Sequence, residues 1–300
     1  MKVNNIKQIA IMAFALSAIT ACSSDGNDTQ NAEERVPILI SASATDVQTS
    51  TRAGQNIQND KFEEDQDIDV QITSQDNMTG YDLLTYYTSD DEGTMLPKKG
   101  VFPYYPVNGA KVDIRAIYPK GKMNTSSFTV ENPQVTKPAY MASDLMFAKK
   151  TDVEKSTTAV QLTFEHKMSK ILVNLTGEGG VNLSNSVVTL LGVKTSVEFN
   201  PTTGVVGNAT GSATDIQMTA DGAVPSACII VPQVVPSGYL LEILLENNDV
   251  LHYKTVQDMI FESGKKYTFN VTVIESNISV STTVSDWDKT PADVEERLKL

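Results

Sequence analysis

Between Lys266 and Val273 the apolar residues Tyr267, Phe269, Val271 and Val273 occupy every second position, with Lys266, Thr268, Asn270 and Thr272 between them. A period of two sends one set to one face of an extended strand and the other set to the opposite face. The same alternation recurs in Val36, Ile38, Ile40, Ala42 and Ala44, in Ile68, Val70 and Ile72, and in Val112, Ile114, Ala116 and Tyr118. It returns in Val160, Leu162 and Phe164, in Ile171, Val173 and Leu175, and in Ile278, Val280, Thr282 and Val284. Further short runs lie at 81–87, 187–193, 196–199, 228–231 and 239–245. Gly and Pro separate most of these runs, and no amphipathic helix of three turns competes over most of the chain. Such a chain is all-β, and many short, punctuated strands imply β-sandwiches. The tail 293–300 fits a helix or a strand.

The first residues carry an address rather than a fold. Lys2 and Lys7 precede an uncharged apolar run at 9–19, the layout of a secretory signal. A membrane span needs about 20 apolar residues, and this run is shorter. Ile19-Thr20-Ala21-Cys22 resembles the lipobox of bacterial lipoproteins, in which the cysteine thiol is acylated before the bond ahead of it is cut. The sequence thus predicts a signal peptide at 1–21 and a lipid on Cys22. A polar, acidic tether follows at 22–35, with nothing to bury.

Length predicts two domains. A charged, polar stretch at 149–157 sets the expected boundary, giving an N-terminal domain at 36–152 and a C-terminal domain at 153–300. The formal net charge is −13, and removing Lys2 and Lys7 leaves 22 basic against 37 acidic residues. Such a surface repels phosphate backbones and excludes nucleic acid as a partner. With Cys22 acylated, Cys228 is the one remaining thiol and no internal disulfide can form. Hydrophobic cores must hold the fold.

Candidates for chemistry are few. His166 and His252 fall in no HxxxH or HExxH pattern, and no cysteine pair has metal-ligand spacing. The acidic run 60–69 lacks the glycine and downstream glutamate of a calcium loop. No nucleophile elbow, P-loop or dinucleotide fingerprint occurs. The carboxylates sit mostly in polar loops, where little would shift them toward a glycosidase role. The sequence therefore assigns no catalytic residue, cofactor or metal, and the chain reads as a non-enzyme.

Three segments resemble the fimbrillin family, the subunits of type V pili in anaerobic Gram-negative bacteria. They are Ser143-Asp144-Leu145-Met146-Phe147-Ala148, then Leu162-Thr163-Phe164-Glu165-His166-Lys167-Met168-Ser169-Lys170-Ile171, and Gly264-Lys265-Lys266-Tyr267-Thr268-Phe269 leading to Ser285-Asp286-Trp287. The likeness spans roughly 36–288. It implies two transthyretin-like, Greek-key β-sandwich domains in tandem. It also implies export to the outer membrane as a lipoprotein and cleavage by an arginine-specific protease after an early strand. Arg52, in the polar loop after the first strand, is then the cut site and Ala53 the new N-terminus. Val36, Ile38, Ile40, Ala42 and Ala44 lie on the strand that is discarded. A strand of another pilus subunit would refill the groove, giving a surface fimbria that supports adhesion. Two other readings stand beside it: an uncleaved, lipid-anchored pilus base, or a tip adhesin that stacks a glycan of a host or bacterial surface receptor on Tyr86, Tyr87, Tyr104 and Tyr105.

Overall fold

The computed structural model describes residues 35–44, 62, 64–77, 80–90, 93–221, 224–274 and 277–287. Strand β1 (Ile40–Ala44) comes first, followed by β2 (Asp67–Ser74), β3 (Gly80–Thr88), β4 (Thr94–Pro97) and β5 (Val112–Tyr118). After β5 come β6 (Ser127–Thr129) and a short helix α1 (Lys137–Ala142), then β7 (Met146–Val153) and β8 (Val160–His166). Seven of these strands close into a barrel in the order β1-β4-β3-β2-β5-β7-β8. The closing pair, β1 with β8, is parallel, and the other neighbours are antiparallel.

Alternation explains the barrel core. Ile68 and Val70 from β2, Val112, Ile114 and Ala116 from β5, and Phe164 from β8 are all fully buried. Where the pattern predicts two facing sheets, one continuous sheet curls until its ends meet. A sandwich and a barrel each bury one face of every strand, so a period of two does not separate them.

Beyond β8 the chain forms β9 (Ser169–Glu178), β10 (Val187–Val193), β11 (Ser196–Asn200), β12 (Val205–Thr210), β13 (Thr214–Gln217) and β14 (Thr219–Asp221). It continues through β15 (Val224–Ile230), β16 (Gln233–Val235), β17 (Tyr239–Leu244), β18 (Val250–Lys254), β19 (Met259–Phe261), β20 (Lys265–Ile274) and β21 (Asn277–Asp286). A five-stranded sheet, β14-β15-β9-β20-β21, and a four-stranded sheet, β13-β10-β17-β18, contribute to one sandwich core. Ile171, Val173 and Phe269 from the first and Leu190, Leu241 and Ile243 from the second are fully buried in it. Smaller sheets, β12-β11-β6 and β16-β19, complete the described strands.

The two cores interlock. Between β5 and β7 the stretch 119–145 leaves the barrel and enters the second core, where Phe128, Val130, Tyr140, Met141 and Leu145 are buried. β6 pairs with β11, and the buried Gln134 amide brackets Ile229, accepting from its N–H at 2.8 Å and donating to its C=O at 2.7 Å. Asp69 fixes the start of this crossing, its buried carboxylate accepting from the backbone N–H groups of Gly121, Lys122 and Met123. Thr136 caps α1 by accepting from Ala139 N–H, which ends the extended approach to it. Ile117 and Phe147, cross-strand partners on the barrel, also belong to the second core. Against the Phe147 ring lies Gly204, with φ +72°, where a Cβ would sit 2.4 Å from the ring. From Arg35 onward the chain forms one compact unit. Position 152/153 lies at the end of β7, β8 beyond it pairs within the barrel, and the change of sheet comes between His166 and Ser169.

Candidate functional site: the seat of the first strand

The leading segment is built into the barrel. Ile38, Ile40 and Ala42 are 0%, 2% and 4% exposed and share the barrel core, and Val36 packs against it from the rim. Along β8 the register runs from Ile40↔Val160 to Ala44↔Phe164, and along β4 Ile40 faces Met95 and Ser41 faces Thr94. Main-chain bonds extend the seat at both ends. Tyr105 N–H donates to Val36 O at 3.0 Å, Ile38 N–H to Pro103 O at 2.8 Å, Val160 N–H to Leu39 O at 2.8 Å and Ala42 N–H to Gly93 O at 2.7 Å. On the outer face, Ser41 Oγ donates to Gln161 Oε1 at 2.8 Å.

Gly93 is the residue that sequence reading misses. Its φ is +85°, and a Cβ there would stand 1.9 Å from the Ala42 carbonyl oxygen. Any side chain at this position would therefore push the first strand out of line. The signal available was a lone glycine after the acidic run Asp90-Asp91-Glu92 and just before β4.

Without residues 36–44, β8 would keep only β7 as a neighbour and β4 only β3. Two sheet edges would then face an open slot floored by the barrel core, a ready acceptor for an added strand. Large apolar side chains removed from water contribute about 1.5–3 kcal/mol each. Ile38 and Ile40 supply most of that term here, because Ala42 is small and Val36 only partly covered.

Ala44 and Phe62, described residues on either side of Arg52 in the sequence, both lie beside Phe164. Ala44 is the register partner of Phe164, and the Phe62 ring packs edge-on against Phe164 with centroids 4.9 Å apart. Cys22, Arg52 and Ala53 lie outside the described residues. Of the tyrosines considered as a sugar platform, Tyr86 and Tyr105 are buried in the barrel core, and burial pushes both hydroxyls above the ordinary phenol range. Tyr87 is half-buried and Tyr104 is 38% exposed, so the four do not form a joint stacking surface.

A second cluster lies where the chain changes sheet. His166 Nδ1 and Asp144 Oδ1 are 2.8 Å apart with both side chains buried, and Trp287 stacks on the imidazole. Lys170 Nζ stands 5.6 Å from the Trp287 ring centroid, and Gly264 N–H donates to Met168 O while Trp287 N–H donates to Gly264 O. A Cβ on Gly264 would be 3.2 Å from His166 O. The Ser-Asp-Leu, Phe-x-His, Gly-Lys-Lys and Asp-Trp segments, distant in sequence, thus converge on one joint. His166 serves there as a buried hydrogen-bonding residue.

Comparison with known proteins bears on the fold and the family. A fimbrillin-like family model matches residues 51–287. None of the curated proteins matches the chain. Among solved structures, a protein of Bacteroides uniformis assigned to cell adhesion superposes with a TM-score of 0.67 at 21% identity, covering 86% of this chain and all of that one. A protein of Bacteroides ovatus, also assigned to cell adhesion, gives 0.66 at 22% identity, with 86% and 99% covered. The tip fimbrial protein Mfa3 of Porphyromonas gingivalis, truncated at its C-terminus, gives 0.53 at 9% identity, with 85% and 100% covered. At these identities the structures establish the fold, and the match over 51–287 establishes kinship: the chain belongs to the fimbrillin-like family.

Proposed function

We propose that this chain is a structural subunit of a cell-surface fimbria, a type V pilus, that joins other pilus subunits by strand exchange and supports adhesion. Its barrel and sandwich correspond in this reading to the paired transthyretin-like domains of the family. The chain travels to the outer membrane as a lipoprotein acylated on Cys22. An arginine-specific protease then cuts between Arg52 and Ala53, and the strand carrying Val36, Ile38, Ile40, Ala42 and Ala44 departs with its lipid. A strand from a neighbouring subunit enters between β8 and β4. The role is structural and calls for no catalytic residue.

The observation that carries this reading is the seat itself: a single leading segment separates β8 from β4 and holds two buried isoleucines in the barrel core. While it is in place the barrel has no free edge, which guards against premature polymerisation. The discarded piece would also be a continuous N-terminal stretch, so one cut suffices to release it.

Mass spectrometry of the N-terminus of subunits recovered from filaments tests the proposal. A chain starting at Ala53 supports it, and an acylated Cys22 within assembled filaments overturns it in favour of an uncleaved anchor. In parallel, Arg52→Ala should leave monomer where the wild type gives a ladder on unheated gels.

A further inference from the structure

Strand β21 is the outermost strand of the five-stranded sheet. It pairs with β20 from Asn277↔Ile274 to Asp286↔Lys265 without a shift of register, and among the described residues no strand pairs with its other side. That side is a row of backbone donors and acceptors able to template another strand. Natural proteins blunt such edges with lysine, proline or a bulge. Between Asn277 and Ser285 the strand has none of these, and its single charged residue, Asp286, is already bonded to Lys265. The other rim strands of the sheets outside the barrel, β6, β12, β13, β14, β16, β18 and β19, are each six residues or shorter.

The side chains indicate what would pair there. Ile278 and Val280 pack against the sandwich core, whereas Val284, on the same face, is 48% exposed. The strand reads Asn-Ile-Ser-Val-Ser-Thr-Thr-Val-Ser-Asp and is nearly symmetric about Thr282. If a second β21 runs antiparallel with Thr282 opposite its own copy, each Val284 lies beside the other copy's Val280. Thr faces Thr and Ser faces Thr or Ser in the intervening positions. A chain with net charge −13 repels its copies over most of its surface, and this uncharged stretch is where two copies meet with least repulsion.

We propose that the outer edge of β21 is a homotypic docking surface, on which β21 of a second copy adds antiparallel about Thr282. The inference does not depend on strand exchange at the barrel, because β1 stays seated throughout. One strand pair buries less than the roughly 1,000 Å² that marks a stable interface. The association is therefore weak, and salt tightens it by screening the net charge.

The experiment is sedimentation velocity on the chain from Ser23 onward, with β1 in place, across concentration and ionic strength. A concentration-dependent dimer that tightens with salt is expected. Thr282→Lys and Thr282→Glu should each weaken it about fivefold or more, because like charges would face each other across the axis, and an equimolar mixture of the two should restore it. Thr176→Lys, two strands inward on the same sheet, should change nothing. Thr282 is exposed, so both variants should melt like the wild type. Hydrogen exchange gives a second readout: amides of 281–284 should gain protection as wild-type concentration rises. A monomer under all conditions, a dimer indifferent to both charges, failure of the mixture to rescue, or exchange independent of concentration would each overturn the proposal.

Discussion

The indole of Trp287 lies flat on the imidazole of His166, with ring centroids 4.2 Å apart and planes 4° from parallel. His166 ends β8, the strand that pairs with β1, and Trp287 follows β21. The end of the last barrel strand and the residue following β21 are thereby tied at one buried contact. Trp287→Ala should destabilise the protein by about 3–5 kcal/mol, as expected for a buried aromatic in a joint that cannot collapse. Chemical denaturation followed by far-UV circular dichroism measures this directly.

Trp287 is the only tryptophan, so its fluorescence reports on the joint while circular dichroism reports on both cores. Because 119–145 starts and ends in the barrel yet fills the sandwich, the two should unfold together. Coincident transitions by the two probes are expected, and a fluorescence change well ahead of the dichroism would contradict the interlock.

Gly93→Ala should lower stability by roughly 2–4 kcal/mol, combining a left-handed backbone strain with overpacking against the Ala42 carbonyl. The loss should centre on the first strand. Limited proteolysis should cleave the variant at 36–44 under conditions that leave the wild type intact there.

Ile40→Ala removes a fully buried side chain of the same strand and should cost about 2–5 kcal/mol. With a synthetic peptide spanning 36–44 added in excess, this variant should exchange its leading strand faster than the wild type. Mass spectrometry of the peptide retained after gel filtration checks the outcome.

Cys228 lies on β15, fully buried, and burial pushes its thiol well above the ordinary range. It should resist a disulfide exchange reagent in the native protein even at mildly alkaline pH and react fully on unfolding. Because the charged form is disfavoured inside, raising the pH alone should not expose it until the fold itself opens.

The alternation at Val112, Ile114 and Ala116, and again at Tyr267, Phe269, Val271 and Val273, foretells which face is buried, because one residue in two must meet the core whatever the sheet does next. Ile38, Ile40 and Ala42 are legible as inward-facing for the same reason. Barrel closure is not legible, since it depends on β1 finding β8 across more than a hundred residues of chain. The crossing at 119–145 escapes a local reading too: Phe128 and Tyr140 sit in segments too short to show a period, and only their distant partners reveal where they belong. Tyr86 and Tyr105 look available beside prolines and threonines, yet alternation within β3 and packing beside Val36 turn them inward.

Asp69, Gln134 and the buried aromatics of the crossing have a mechanical corollary. In a fimbria assembled by the strand exchange proposed above, each link would pass tensile load from its barrel to its sandwich. Beads on a string would give way at the string. Here the load would have to shear the crossing out of the second core before the halves could separate, so a link should yield as a whole, late and abruptly, rather than lengthen by degrees.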